Sequence, residues 1–176
     1  MNIDLNNIVQ FAVPLDSGLI VDFFTDENGS TPSAEHSDQI LVFKNEASKF
    51  LWDFEHKSTG LEVKRKFFKT ITYYNSNSKS TAEIKKYLYN LEIPFSNWVF
   101  IAEQPHLGFM LTWKMVIKYC AGIFWDDYQQ IWDKTLNWKL EYNHGQFAFG
   151  KNLIYHSDEE AEKTLLAIAQ MKKRKR

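Results

Sequence analysis

The side chains best suited to chemistry in this sequence fall late in the chain. His144 lies in Asn143-His144-Gly145, with Asp126 and Asp127 upstream in Trp125-Asp-Asp-Tyr128. A histidine paired with a carboxylate is the minimum a hydrolase needs for general-base work. The same three residues, Asn-His-Gly, tolerate left-handed backbone and read equally as a turn. Asp126, Asp127 and His144 could in principle assemble a metal site. The five histidines (His36, His56, His106, His144 and His156) show no His-x₃-His spacing, however, and none lies beside a cysteine pair. No metal is expected, and the acidic pair reads as a loop cap or a solvated loop. Cys120, the only thiol, falls on the apolar face of a predicted helix and reads as a small core residue rather than a nucleophile. Gly145 and Gly150 form neither a Gly-x-Gly-x-x-Gly nor a Walker pattern, so no cofactor is expected.

The elements around these residues carry an unusual load of rings. Between Trp98 and Phe149, 13 of 52 residues are aromatic, five of them tryptophan, against 16% for the whole chain. Aromatics at strand and helix spacing are mostly core, with a minority exposed as anchors for a partner. Leu136 to Tyr142 alternates apolar Leu136, Trp138, Leu140 and Tyr142 with polar Asn137, Lys139 and Glu141, and predicts a half-buried strand. Asn143-His-Gly145 turns it, and Phe147 and Phe149 alternate on the return, so a hairpin is predicted here. Trp98–Ala102 reads as a buried strand, Pro105 and Gly108 as bracketing a turn, and 109–111 as a short strand. Thr112 is the expected cap of a helix with Trp113, Val116, Ile117 and Cys120 on one face. Residues 126–130 read as a polar excursion.

Earlier in the chain, 3–11 is open between a short helix started by Asp4 and a strand, closed either way by Pro14. Residues 18–25 and 39–43 read as strands, Asp26–Gly29 as a turn and 30–38 as a surface loop. Asn45 can cap a helix from 46 to about 57, with Ala47, Phe50, Leu51 and Phe54 along one side and Gly60 as its stop. Residues 61–74 read as a long or bent strand carrying Lys64, Arg65 and Lys66 partly toward solvent. Ser80-Thr-Ala-Glu83 is a capping box opening a helix with Ile84, Tyr87, Leu88 and Leu91 on one face. A second capping box, Ser157–Glu160, opens a final helix with Leu165, Leu166, Ile168 and Ala169 inward. No repeat or dividing linker is present. The expected architecture is a single α+β domain over 1–171, a largely antiparallel sheet packed against about four helices, with 172–176 a disordered basic tail.

The net charge of −1 conceals an asymmetry. The last five residues, Lys172 to Arg176, are all basic, and without them 16 basic side chains stand against 22 acidic ones. A body at −6 is a poor general binder of nucleic acid and a fair partner for a basic protein. One cysteine fits a reducing compartment, no secretory signal opens the chain, and the apolar runs fall far short of the roughly 20 residues of a membrane span. A cytoplasmic location without membrane contact is expected.

Three segments together carry a resemblance. Trp113-Lys-Met-Val-Ile-Lys-Tyr119, the acidic Trp125-Asp-Asp-Tyr128, and Trp138-Lys-Leu-Glu-Tyr-Asn-His-Gly-Gln-Phe-Ala-Phe-Gly150 resemble the C-terminal part of small immunity proteins. Bacteria make these beside contact-dependent growth inhibition and other polymorphic toxins. The likeness covers about 40 residues and does not extend to the first 95. It implies binding of one cognate toxin domain, often a nuclease, by blocking its active site, and it carries over no catalytic residue. Acidic and aromatic groups meet in the loop from Trp125 to Asp133 and beside the hairpin. The expected partner-binding residues are therefore Trp125, Asp126, Asp127, Tyr128, Asp133, Glu141 and His144. Two alternatives stand beside this reading: a small hydrolase using His144 with Asp126 or Asp127, and an apolar-ligand binder with a closed pocket lined by tryptophans.

Overall fold

A computed structural model describes residues 3–15, 23–56, 63, 68–125 and 128–153. Eight strands form one sheet: β1 (Ala12–Pro14), β2 (Ile40–Phe43), β3 (Phe68–Asn75), β4 (Trp98–Gln104), β5 (Leu107–Thr112), β6 (Tyr128–Trp132), β7 (Trp138–Asn143) and β8 (Gln146–Leu153). Their order is β1-β2-β5-β4-β6-β7-β8-β3, and each adjacent pair is antiparallel. The helices are α1 (Ala34–Ser37), α2 (Asn45–His56), α3 (Thr81–Tyr89), α4 (Trp113–Lys118) and α5 (Cys120–Ile123). This is the expected α+β architecture. Among the described residues, no helix is long and apolar enough to cross a membrane.

The two faces of the sheet hold separate cores. On one, Val99, Ile101, Phe109, Leu111, Ile131, Leu140 and Phe147 pack beneath α3, α4 and α5. On the other, Phe100, Ala102, Met110 and Trp132 meet Ala47, Leu51 and Phe54 of α2. Successive strand residues point to opposite faces, so the neighbours Phe100 and Ile101 serve different cores. The tryptophans Trp113 and Trp132 are fully buried, and most of the other rings of the aromatic stretch are buried.

Local chemistry explains the best-predicted elements. The Ser80 hydroxyl accepts from the Glu83 amide at 3.3 Å, and the Glu83 carboxylate accepts from the Ser80 amide at 3.0 Å, which starts α3. Ring stacking of Tyr87 on Tyr74, with centroids 4.2 Å apart, holds α3 on the sheet. The β7–β8 turn has φ of +45° at His144 and +81° at Gly145. Positive φ at both central residues matches the twist of the flanking strands and fixes the hairpin register. Asp26–Gly29 is also a turn, closed by the Gly29 amide on the Asp26 carbonyl.

Several expectations change. Tyr128–Trp132 is a strand inside the sheet, where the Gln129 side chain donates to Glu103 and accepts from the Gln130 backbone amide and so needs no solvent. Thr112 does not cap α4 with its side chain; its hydroxyl donates instead to Gln39 Oε1 at 3.2 Å. The single helix expected after Thr112 breaks at Tyr119, where φ −101° and ψ 21° separate α4 from α5, so Cys120 starts the second piece. Cys120 is nevertheless buried in the core, as expected. Residues 30–38 include α1, and Gly108 lies within β5, not in the turn. Phe23 and Phe24 lie in a turn, not a strand; Phe24 reaches the core against Phe109 and Tyr119. In 3–11, Asp4 Oδ1 accepts from the Asn6 and Asn7 amides ahead of a 3-10 turn at Ile8–Phe11. The Lys64–Lys66 cluster, the Gly60 stop, the final helix and the basic tail lie outside the described residues.

Gly150 of β8 faces the ring of Phe68 across the β3 ladder. A Cβ there would sit 2.6 Å from the ring. Phe68 is buried and cannot swing away into solvent. Gly150→Ala is expected to destabilise the fold by about 1–3 kcal/mol through overpacking, read from the urea midpoint at unchanged m-value.

Candidate partner-binding site

One end of the sheet gathers most of the groups with functional potential. Antiparallel order brings the end of β4, the start of β6, the end of β7 and the β7–β8 turn to the same edge of the molecule. The register confirms it: Tyr128 lies opposite Asn143, Gln130 opposite Glu141, and Trp132 opposite Lys139. Residues directly opposite share a face, so Tyr128, Gln130, Glu141 and Lys139 lie on the α2 side with Trp132.

Three of the seven expected partner-binding residues, Tyr128, Glu141 and His144, lie at this corner, and Trp125 precedes it in sequence. Trp125 is 87% exposed just before β6, and Tyr128 is 39% exposed at its start. His144 is exposed at the hairpin tip, and Glu141 is half-buried two residues before the end of β7. Asp126 and Asp127 lie outside the described residues. Asp133 is a correction. It is only 6% exposed, and its carboxylate accepts from Trp138 Nε1 at 2.9 Å, Asn97 Nδ2 at 3.0 Å, and the Thr135 amide at 2.9 Å. These bonds hold the β6–β7 connection, where Leu136 takes φ of +54°. A carboxylate so engaged is a structural staple and not a contact group.

Between β4 and β6 the sheet opens. Among the described residues, their one paired position is Phe100 with Trp132. Toward the strand ends the two chains diverge, and the Gln130 amide bonds to the side chain of Gln129 at 3.0 Å. The result is a cleft of about 230 Å³. Its strand walls are Ala102 and Glu103 on one side and Tyr128, Gln129 and Gln130 on the other, and the C-terminal turn of α2 covers it with Trp52, Glu55 and His56. Gln129 Nε2 bridges the walls to Glu103 Oε2 at 2.8 Å. The Trp52 and His56 rings are stacked, 3.6 Å between centroids at 19°.

Beneath the cleft lies a buried ionic group. Glu55 Oε1 accepts from Trp132 Nε1 at 2.6 Å. Lys139, 1% exposed, has its Nζ 3.7 Å from Glu141 Oε2, which also accepts from the Val63 amide at 3.4 Å. Burial pushes the Lys139 ammonium down to about 8, against the pull of Glu141 and Glu55. Burial also raises the Tyr128 phenol above its usual range, and Glu141 and Glu55 add to that. No group of three or more His, Cys, Asp or Glu placed to hold a metal occurs among the described residues.

Sequence reasoning passed over Glu55, Glu103, Gln129, Gln130 and Lys139. One signal was present: Glu55 follows Ser48 and Leu51 at helical spacing on the buried side of α2, a carboxylate at a core position. Lys139 lies on the polar side of its strand's alternation, as expected, but that face is covered rather than wet.

Two outcomes follow. Asp133→Ala strands the indole and amide donors it serves and is expected to cost about 3 kcal/mol, measured by urea denaturation. For Lys139, the folded value near 8 lies below the ordinary 10.5, so the unfolded chain binds more protons across that window. The stability of the wild type relative to Lys139→Met should therefore be flat below about pH 8 and rise toward pH 10.5, followed by paired unfolding curves. No family model, curated protein or solved structure matches the chain, which leaves its own geometry as the ground for assigning a role.

Proposed function

We propose that this chain is an immunity protein that binds a cognate bacterial toxin domain, a nuclease, and neutralises it by blocking its active site. The observation that carries the reading is the exposure of Trp125. Its side chain is 87% exposed, three residues ahead of Tyr128, which opens β6 and is itself 39% exposed. A large ring held in water gains little for the fold, whereas tryptophan and tyrosine dominate binding energy once a partner covers them. The acidic body supports the same reading, since a nuclease must carry positive charge for phosphates and would be steered toward it.

The alternatives draw less support. The apolar-ligand reading needs a closed cavity lined by tryptophans, but Trp113 and Trp132 are packed solid and the cleft is lined mainly by polar groups. For the hydrolase reading, His144 occupies a position whose positive φ the turn itself requires.

The test is protection of cells expressing the toxin encoded beside this gene, with affinity measured against a catalytically dead form of that toxin. Trp125→Ala should raise the Kd about 30-fold, equivalent to about 2 kcal/mol, with an unchanged melting temperature. Unprotected cells and no binding at micromolar concentration would sink the proposal.

A further inference from the structure

We infer that the cleft between β4 and β6 is a receptor for a guanidinium group, supplied by an arginine side chain of the protein partner. The inference deepens the immunity reading and relies on it only for the source of the arginine. Four features of the cleft point to this chemistry.

The first is an acceptor without a donor. Gln130 is 5% exposed and lines the cleft, and its Oε1 has no hydrogen-bond partner. A buried amide oxygen left this way is costly unless a ligand supplies a hydrogen. The second is the balance of the lining. Glu55 and Glu103 bring carboxylates to the same space, and each accepts at about four positions. Two N–H groups at the cleft are already committed to these carboxylates, Trp132 Nε1 to Glu55 and Gln129 Nε2 to Glu103. Such a lining suits a cationic donor and opposes an anion.

The third feature is flat aromatic cover. Trp52 and His56 lie stacked at the cleft, and a planar guanidinium stacks on aromatic faces while its five hydrogens reach outward in a fork. An ammonium has neither the plane nor the fork, which separates arginine from lysine. The fourth is size. At about 230 Å³ the cleft falls below the roughly 300–1,000 Å³ of small-molecule sites. That volume suits one inserted side chain rather than a cofactor. Its position beside Tyr128 puts the receptor within the proposed interface, where buried arginines act as anchors.

The cleft can be tested in the isolated chain. N-acetyl-arginine methylamide is titrated into ¹⁵N-labelled protein while the indole N–H of Trp52 and Trp132 and the side-chain amide of Gln130 are followed by NMR. Saturable shifts at millimolar concentration are expected. The lysine analogue should bind at least tenfold more weakly, and acetate should cause no shift. Glu103→Gln should weaken the arginine probe at least tenfold, and the apolar Gln130→Met provides a second variant if Glu103→Gln fails to fold. Absence of a saturable shift, or equal affinity in the folded variant, overturns the receptor. Micromolar affinity for the free probe would identify a small-molecule site and overturn the partner assignment. With the toxin, Glu103→Gln should cost at least tenfold in affinity, and an unchanged Kd overturns the same assignment. Failure of the wild type to bind any toxin would instead sink the immunity reading while leaving the NMR result intact.

Discussion

The contact between Phe100 and Trp132 decides the shape of this molecule. Among the described residues it is the single paired position between β4 and β6, and so the seam between two four-stranded halves of the sheet. Trp132 strengthens the seam with more than a backbone ladder. Its ring lies 5.0 Å from Phe100 and 5.1 Å from Phe54, and its N–H ends on Glu55. One side chain thus ties β6 to β4 and to α2. Because the ladder does not continue past this pair, the strands part and the cleft opens beside it. A fully laddered β4–β6 pair would have closed that space and brought Gln130 against the backbone of β4.

The ionic group under the cleft is best understood through the same seam. Lys139 lies opposite Trp132 and is almost wholly removed from water. Burying an ammonium and carboxylates together is rarely a net gain in stability over a packed apolar cluster. Its effect here is positional. Glu55 is held by the indole while Lys139 and Glu141 set the charge around it, so the acidic wall of the cleft has a fixed geometry before anything binds. Preorganised groups lose less freedom when a partner arrives.

How much of this the sequence revealed depends on whether a residue obeys the pattern of its element. The hairpin through His144 and Gly145, the capping box at Ser80 and the Trp98 strand all follow local rules, and all are present as expected. The stretch Tyr128–Trp132 broke the rule, since two glutamines interrupt what should be an apolar alternation, and it reads as a loop. It is a strand because Glu103, 26 residues before Gln129, supplies the missing partner. Asp133 misled for a related reason: a lone acidic residue suggests solvent, and nothing local shows that Trp138 and Asn97 will converge on it. Polar residues that are buried in company with one another are visible only once the chain has folded.

The placement of β3 bears on how the molecule assembles. Among the described residues β3 is the third strand made, yet its one neighbour in the sheet is β8, the last, with Asn75 opposite Gln146. On a ribosome it emerges long before its partner and must wait while β4 through β7 are synthesised. Pairings across such sequence separations close slowly, because the loop entropy is lost before the contacts form. The final hairpin therefore acts as the latch of the fold: until β8 has turned back on β7, the chain carries an unpaired strand available to any other edge it meets.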